Sequence, residues 1–181
     1  ASGDGLSKRS GALSIGALRD DGIEALAVAA MAVLTGSSTA LRPVASLDDL
    51  ADGFDLSRLS RAPARFDEAE LRALSARTLH GLAYATVSGR LALFGIVGAK
   101  AELFWDAVRG NLQHFAEAAE WWGIVEDVLQ PVIEDAAFLE RAAALMPAEP
   151  WDGDTWGAWT AALKADTGRK GRALFHPLRL A

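Results

Sequence analysis

The chain of 181 residues is 51% hydrophobic, contains six Trp, and carries 18 Lys and Arg against 24 Asp and Glu for a formal net charge of -6. That much apolar material excludes a disordered chain, and the length suffices for one domain or two small ones. With no cysteine, a disulfide framework, a thiolate zinc site and a cysteine nucleophile are all excluded.

The opening stretch, ASGDGLSKRSGALS, holds an acid and no continuous apolar segment, so neither a signal peptide nor a transit peptide is predicted and the cytoplasm is the expected compartment. Within it, Lys8 and Arg9 stand between Gly5 and Gly11. Glycines let backbone approach a phosphate and a lysine on a loop can swing onto developing negative charge; the other reading is a solvated terminus. Ile23, Leu26, Ala27, Ala30, Met31 and Leu34 recur at spacings of three and four, which predicts a helix over 23–35 stopped by Gly36. Its run ALAVAAMAVL falls far short of the roughly 18 apolar residues a membrane helix needs. After the punctuation of TGSSTALRP, Asp67 and Glu70 are placed as an N-cap and its capping-box partner, and Leu71, Leu74, Thr78 and Leu82 line one face of the helix they open. ATVSGR punctuates again, and Ser88 and Gly89 are the expected seam if there are two subdomains. Further helices are predicted over roughly 99–110, with Leu103, Phe104, Ala107 and Val108, and 111–126, with Leu112, Phe115, Ala119 and Trp122. Two more are predicted near 135–146 and 154–166, separated by MPAEPWDGD. No period-two alternation, Asn-Gly hairpin or repeat of about 20 to 50 residues is present, so the predicted class is all-α, a helical bundle.

Little of this points to catalysis. His80, His114 and His176 are far apart and none has a second His at helical spacing, so no metal site is expected. The pairs Asp20-Asp21, Asp48-Asp49 and Glu134-Asp135 are read as helix starts, where carboxylates complement the helix dipole, rather than as acid/base pairs. No catalytic residue is assigned. Trp156, Trp159 and Leu163 fall on one helical stripe, which favours a core cluster of Trp151, Trp156 and Trp159 over a base-stacking platform. The closing phrase, GRKGRALFHPLRLA, concentrates Arg169, Lys170, Arg172 and Arg179 with no acid, leaving -10 for the rest of the chain. Such cations pair with a nucleic-acid backbone or simply form a solvated face. The phrase stops on LRLA with no polar tail, so the polypeptide is expected to continue beyond it.

Taken together, LSKRSGALS at 6–14, LRDDGIEALAVAAMAVLTGSS at 18–38, FDLSRLSRAPARFD at 54–67 and GRKGRALFHPLRLA at 168–181 resemble, in order and separation, bacterial glutamyl-tRNA synthetases over essentially the whole chain. The match is to the C-terminal half of such a class I synthetase, from its KMSKS-like signature loop onward. The resemblance implies that residues 1–88 hold this loop and a stem-contact helical domain, that 89–181 belong to a helical anticodon-binding domain that continues past Ala181, and that the catalytic Rossmann domain lies outside this chain. It implies that Lys8, with Ser7 and Arg9 beside it, contacts ATP, used with Mg in the full enzyme; Gly5 stands where the family has the loop's first lysine. It also implies a tRNA partner, tRNA(Glu) with tRNA(Gln) as the open alternative, and tRNA contacts from Arg58, Arg61, Arg65, Arg169, Lys170 and Arg172, or packing beneath those contacts. A monomer is expected, inactive in aminoacylation by itself. A helical protein-interaction module derived from a synthetase, without tRNA binding, is the rival reading.

Overall fold

The structure, a computed structural model, describes residues 14–60, 66–127 and 130–181. Ten α-helices and two 3-10 turns occur among them, with no strand; the only ladder-like contact is an isolated bridge between Ser37 and Leu59. The all-α class read from periodicity is the class observed. No helix among the described residues is long and apolar enough to cross a membrane.

The chain folds as two compact units, residues 1–127 and 128–181. In the first unit, α1 (Ile15–Asp20), α2 (Ala25–Leu34), α3 (Leu47–Asp52) and α4 (Glu68–Gly81) surround one core. Ala27 and Ala30 of α2 are fully buried with Met31 and Leu34, facing Leu71 and Leu74 of α4. Small residues at such a contact let two helix backbones approach closely, as in ridges-into-grooves packing. Asp67 is the N-cap of α4, as predicted: its carboxylate accepts the N–H groups of Ala69 (2.8 Å) and Glu70 (3.3 Å), satisfying two of the orphan donors of the first turn, while the return bond of a capping box from the Glu70 side chain is not formed. Ser46 does the same for α3, where Asp48 and Asp49 occupy the first turn. Asp20 and Asp21 do not start a helix. They end α1, whose six residues the periodicity missed because the helix buries only Leu18.

A second core fills the rest of this unit. α5 (Tyr84–Ala92), α6 (Ala101–Val108) and α7 (Glu117–Glu126) bury Val87, Leu91, Ile96, Phe104, Trp105, Leu112 and Phe115 around Leu79 of α4. Three sequence expectations are corrected here. The stretch ATVSGR is helical rather than a turn, so α5 runs through 88 and 89. The buried face of α6 carries Phe104, Trp105 and Val108, while Leu103 is exposed; the indole Nε1 of Trp105 donates to the Leu82 carbonyl at 2.8 Å, so the tryptophan claims the inner position. The helix predicted from 111 starts at Glu117, because the Glu117 carboxylate reaches back to the N–H groups of Gln113 (3.0 Å) and His114 (3.3 Å). Leu112 and Phe115 are buried from the bend and turn that lead into it.

Across residue 89 lies a polar tie. Arg90 of α5 grips Glu24 with both guanidinium nitrogens (2.8 and 2.9 Å) and stacks over Phe115 at 3.7 Å, and the Glu24 N–H donates to Ser75 Oγ at 2.8 Å. One arginine thus binds the start of α2 to the second core.

The second unit is a three-helix layer: α8 (Ala136–Ala144), α9 (Thr155–Thr167) and α10 (Arg172–Leu180) enclose Phe138, Ala142, Leu163 and Leu174. Asp135 caps α8, as its place in the Glu134-Asp135 pair predicted. α10 was hidden in the sequence by Pro177, which sits inside it, and by the two glycines ahead of it. Gly168 and Gly171 adopt positive φ (+69° and +54°), conformations open to glycine, and so make the tight turn from α9 to α10.

Candidate nucleic-acid interface

The cations of the closing phrase divide by environment. Arg169, inside the α9–α10 turn, is half-buried. Its Nη2 donates to Asp135 at 2.7 Å, and its guanidinium lies over the Phe138 ring at 4.2 Å. The Arg169 hydrogen bond, with the Phe138 N–H, holds the Asp135 carboxyl below the usual carboxylate range. Arg169 therefore clamps the start of α8 and covers a core aromatic. Lys170 and Arg172, by contrast, are exposed and have no ion pair among the described residues, as is Arg179 one helical stripe further on.

Geometry on α10 sorts its faces. At roughly 100° per residue, Arg172, His176 and Arg179 fall within about 60° of arc, opposite the inward Leu174, Pro177 and Leu178. His176 Nδ1 lies 3.4 Å from Glu134, the one carboxylate on that stripe. No side chain caps α10 and no acid occupies its first turn, so the positive end of the helix adds to the field of Arg172 rather than opposing an acid. Elsewhere in the unit, Asp166 is engaged with Arg141 (2.7 Å to Nε), which lowers its pKa and removes it from the surface field.

Of the other expected cations, Arg58 ends the 3-10 turn Leu56–Arg58, is exposed, and lies 3.7 Å from Asp55. Arg61, Arg65 and the loop residues Ser7, Lys8 and Arg9 lie outside the described residues. The structure does not bring Arg58 and the α10 cations into one unit. No group of three or more His, Asp or Glu able to hold a metal occurs among the described residues.

The tryptophans also divide, against the reading that placed all three in a core. Trp159 packs into the core and its indole donates to the Ala142 carbonyl at 2.9 Å. Trp151 is 56% exposed, held by a bond to the Pro147 carbonyl, and Trp156 is 47% exposed with its ring stacked on Phe175 (6.5 Å, 28°). Stripe position predicted Trp159 correctly, but Trp156, in the first turn of α9, meets Phe175 of α10 and still stays half-exposed.

Comparison with known proteins gives this surface a context. No protein-family model matches the chain. Curated proteins do: the chain is 62% identical over all its residues to glutamate-tRNA ligase 2 of Beijerinckia indica subsp. indica, 55% identical over all its residues to the ligase 2 of Methylorubrum populi, and 48% identical over 99% of its residues to glutamate-tRNA ligase 1 of Brucella canis. The chain spans about 40% of the length of these relatives. Over its whole length this all-α chain is thus similar to a part, about two fifths, of bacterial glutamate-tRNA ligases.

Proposed function

We propose that this chain is the tRNA-binding C-terminal portion of a cytoplasmic glutamate-tRNA ligase that activates glutamate with ATP and transfers it to tRNA(Glu). The observation that carries the proposal is the 48 to 62% identity to glutamate-tRNA ligases across essentially every residue. The unpaired cations Lys170, Arg172 and Arg179 support it, since phosphate contact depends on local field and not on net charge. In this reading Lys8, with Ser7 and Arg9, serves ATP, and Arg58, Arg61 and Arg65 serve the tRNA stem. The N-terminal helices lean on the stem and the later ones face the anticodon arm. The chain works as a monomer within the longer enzyme and does not aminoacylate without the nucleotide-binding domain.

Fluorescence anisotropy with a tRNA(Glu) transcript across a salt series tests the proposal, beside tRNA(Gln) and a transcript with exchanged anticodon bases. Binding is expected to weaken log-linearly with salt, by roughly 0.7 to 0.9 in slope for each phosphate neutralised. Absence of binding at low salt refutes it. A salt-insensitive association with protein partners in place of tRNA would instead favour the interaction module.

A further inference from the structure

We infer that the second unit carries a stacking site for unpaired tRNA bases, formed by Trp156 and Phe175 and flanked by Arg172 and Arg179; the inference rests on the tRNA-binding reading above. Trp156 is unlike its neighbours. The indoles of Trp151 and Trp159 each donate to a backbone carbonyl, whereas the Trp156 indole has no hydrogen bond among the described residues and the residue leaves 47% of its surface exposed. It is nonetheless held in place. Trp159, locked in the core, meets it edge-on (5.6 Å, 71°), and Phe175 lies nearly parallel to it at 6.5 Å. A fixed, half-open aromatic face is what a base needs for stacking, and every base has such a face.

The occupant is chosen by the rim. Phe175 is three residues after Arg172 and four before Arg179 on α10, spacings that set side chains beside one another on a helix. Both arginines are exposed and without an ion pair among the described residues. Two guanidiniums without an acidic partner beside the open ring favour a polyanion, whose charge they match. Duplex RNA keeps its base faces stacked inside, so the ligand that satisfies both the rings and the rim is an unpaired stretch.

The test uses the 181-residue chain with three RNAs: the tRNA(Glu) transcript, one of its hairpin arms with the loop intact, and a blunt duplex of the same stem. Trp156→Ala is expected to weaken hairpin binding about tenfold or more and to leave duplex binding unchanged, with Trp156→Phe retaining most of the affinity. Arg172→Gln with Arg179→Gln is expected to weaken both and to flatten the salt slope. Because the alanine variant could lose its fold, a 2-aminopurine in the hairpin loop reports stacking on the wild-type chain directly, and its fluorescence is expected to fall on binding. Wild-type affinity for the hairpin in a folded Trp156→Ala chain, or an unquenched 2-aminopurine in a bound hairpin, overturns the stacking site while leaving the tRNA reading standing. A wild-type chain that binds none of the three RNAs overturns both.

Discussion

The Leu82 carbonyl is one of the points that fasten α6 to the end of α4, and a double-mutant cycle on its two donors tests how α5 to α7 are held in one body with α1 to α4. Leu82 ends α4, and its oxygen accepts from both Trp105 Nε1 (2.8 Å) and Arg109 Nη1 (3.0 Å). Trp105 is fully buried and packs against Phe115 (ring centroids 5.7 Å). Trp105→Phe removes one donor and part of a ring but leaves Arg109 on the carbonyl. Its expected loss is about 1 to 2 kcal/mol, one ordinary hydrogen bond plus a small void. Arg109→Met keeps the aliphatic stem and leaves Trp105 bonded, for a loss of roughly 0.5 to 1 kcal/mol. The double variant strips a half-buried carbonyl of both donors, so its loss is expected to exceed the sum of the singles by about 1 kcal/mol. Urea unfolding gives the energies, and hydrogen exchange at the Leu79, Leu91 and Leu112 amides shows where they are felt. Loss of protection at all three together is expected, since they line one core. Strict additivity, or exchange raised at Leu112 with Leu79 untouched, would refute a shared core across residue 89.

Two further outcomes separate structural from ligand-facing charges. Arg169→Ala should lower the melting temperature of the second unit by several degrees, since the ring contact on Phe138 alone is worth about 0.5 to 2 kcal/mol, whereas Lys170→Ala should leave the melt unchanged and weaken only tRNA binding; a melt indifferent to Arg169 would return it to the exposed cations. Asp49 is held down to about 2 by its hydrogen bonds with Arg42 (2.8 and 3.0 Å) and the Ala45 N–H, against an ordinary 3.8. The folded chain therefore binds this proton less tightly than the unfolded one, so the stabilisation is complete above the ordinary value and fades as pH falls through about 2. Thermal melts of wild type and Asp49→Asn should differ by a constant amount near neutral pH and converge in acid; a gap that widens in acid would contradict the sign.

What the sequence made legible was local. α2, α4, α8 and α9 were readable because each has an apolar stripe at helical spacing and, in α4, α8 and α9, an aspartate at the cap. α5 was misread because Ser88 and Gly89, turn residues by composition, sit on a helix whose stability comes from Val87 and Leu91 in the core, and tertiary packing overrode propensity. The site was half legible. Charge alone grouped Arg169 with Lys170 and Arg172, and nothing in GRKG distinguishes them, because Arg169 is removed from the surface by Asp135 and Phe138, more than thirty residues upstream. Trp156 was assigned to the core by its stripe, yet it stays 47% exposed beside Phe175.

The same long-range pairing resolves how an acidic chain offers a cationic face. Several of its acids are committed to structure: Glu24 to Arg90, Asp21 and Glu68 to Arg72, Asp49 to Arg42, Asp135 to Arg169 and Asp166 to Arg141, with Asp67 and Asp135 also capping helices. Each such carboxylate neutralises an arginine that would otherwise be free, so neither partner adds to the field at a distance. Among the described residues the cations left without an ion pair are Arg19, Arg77, Lys164, Lys170, Arg172 and Arg179, and three of these six, Lys170, Arg172 and Arg179, lie in the ten residues 170–179. At physiological salt the screening length is about 8 Å, so a phosphate at α10 responds to those three charges and Glu134, not to acids elsewhere in the chain. Net charge thus governs solubility, while the distribution of unpaired cations governs where a polyanion can sit.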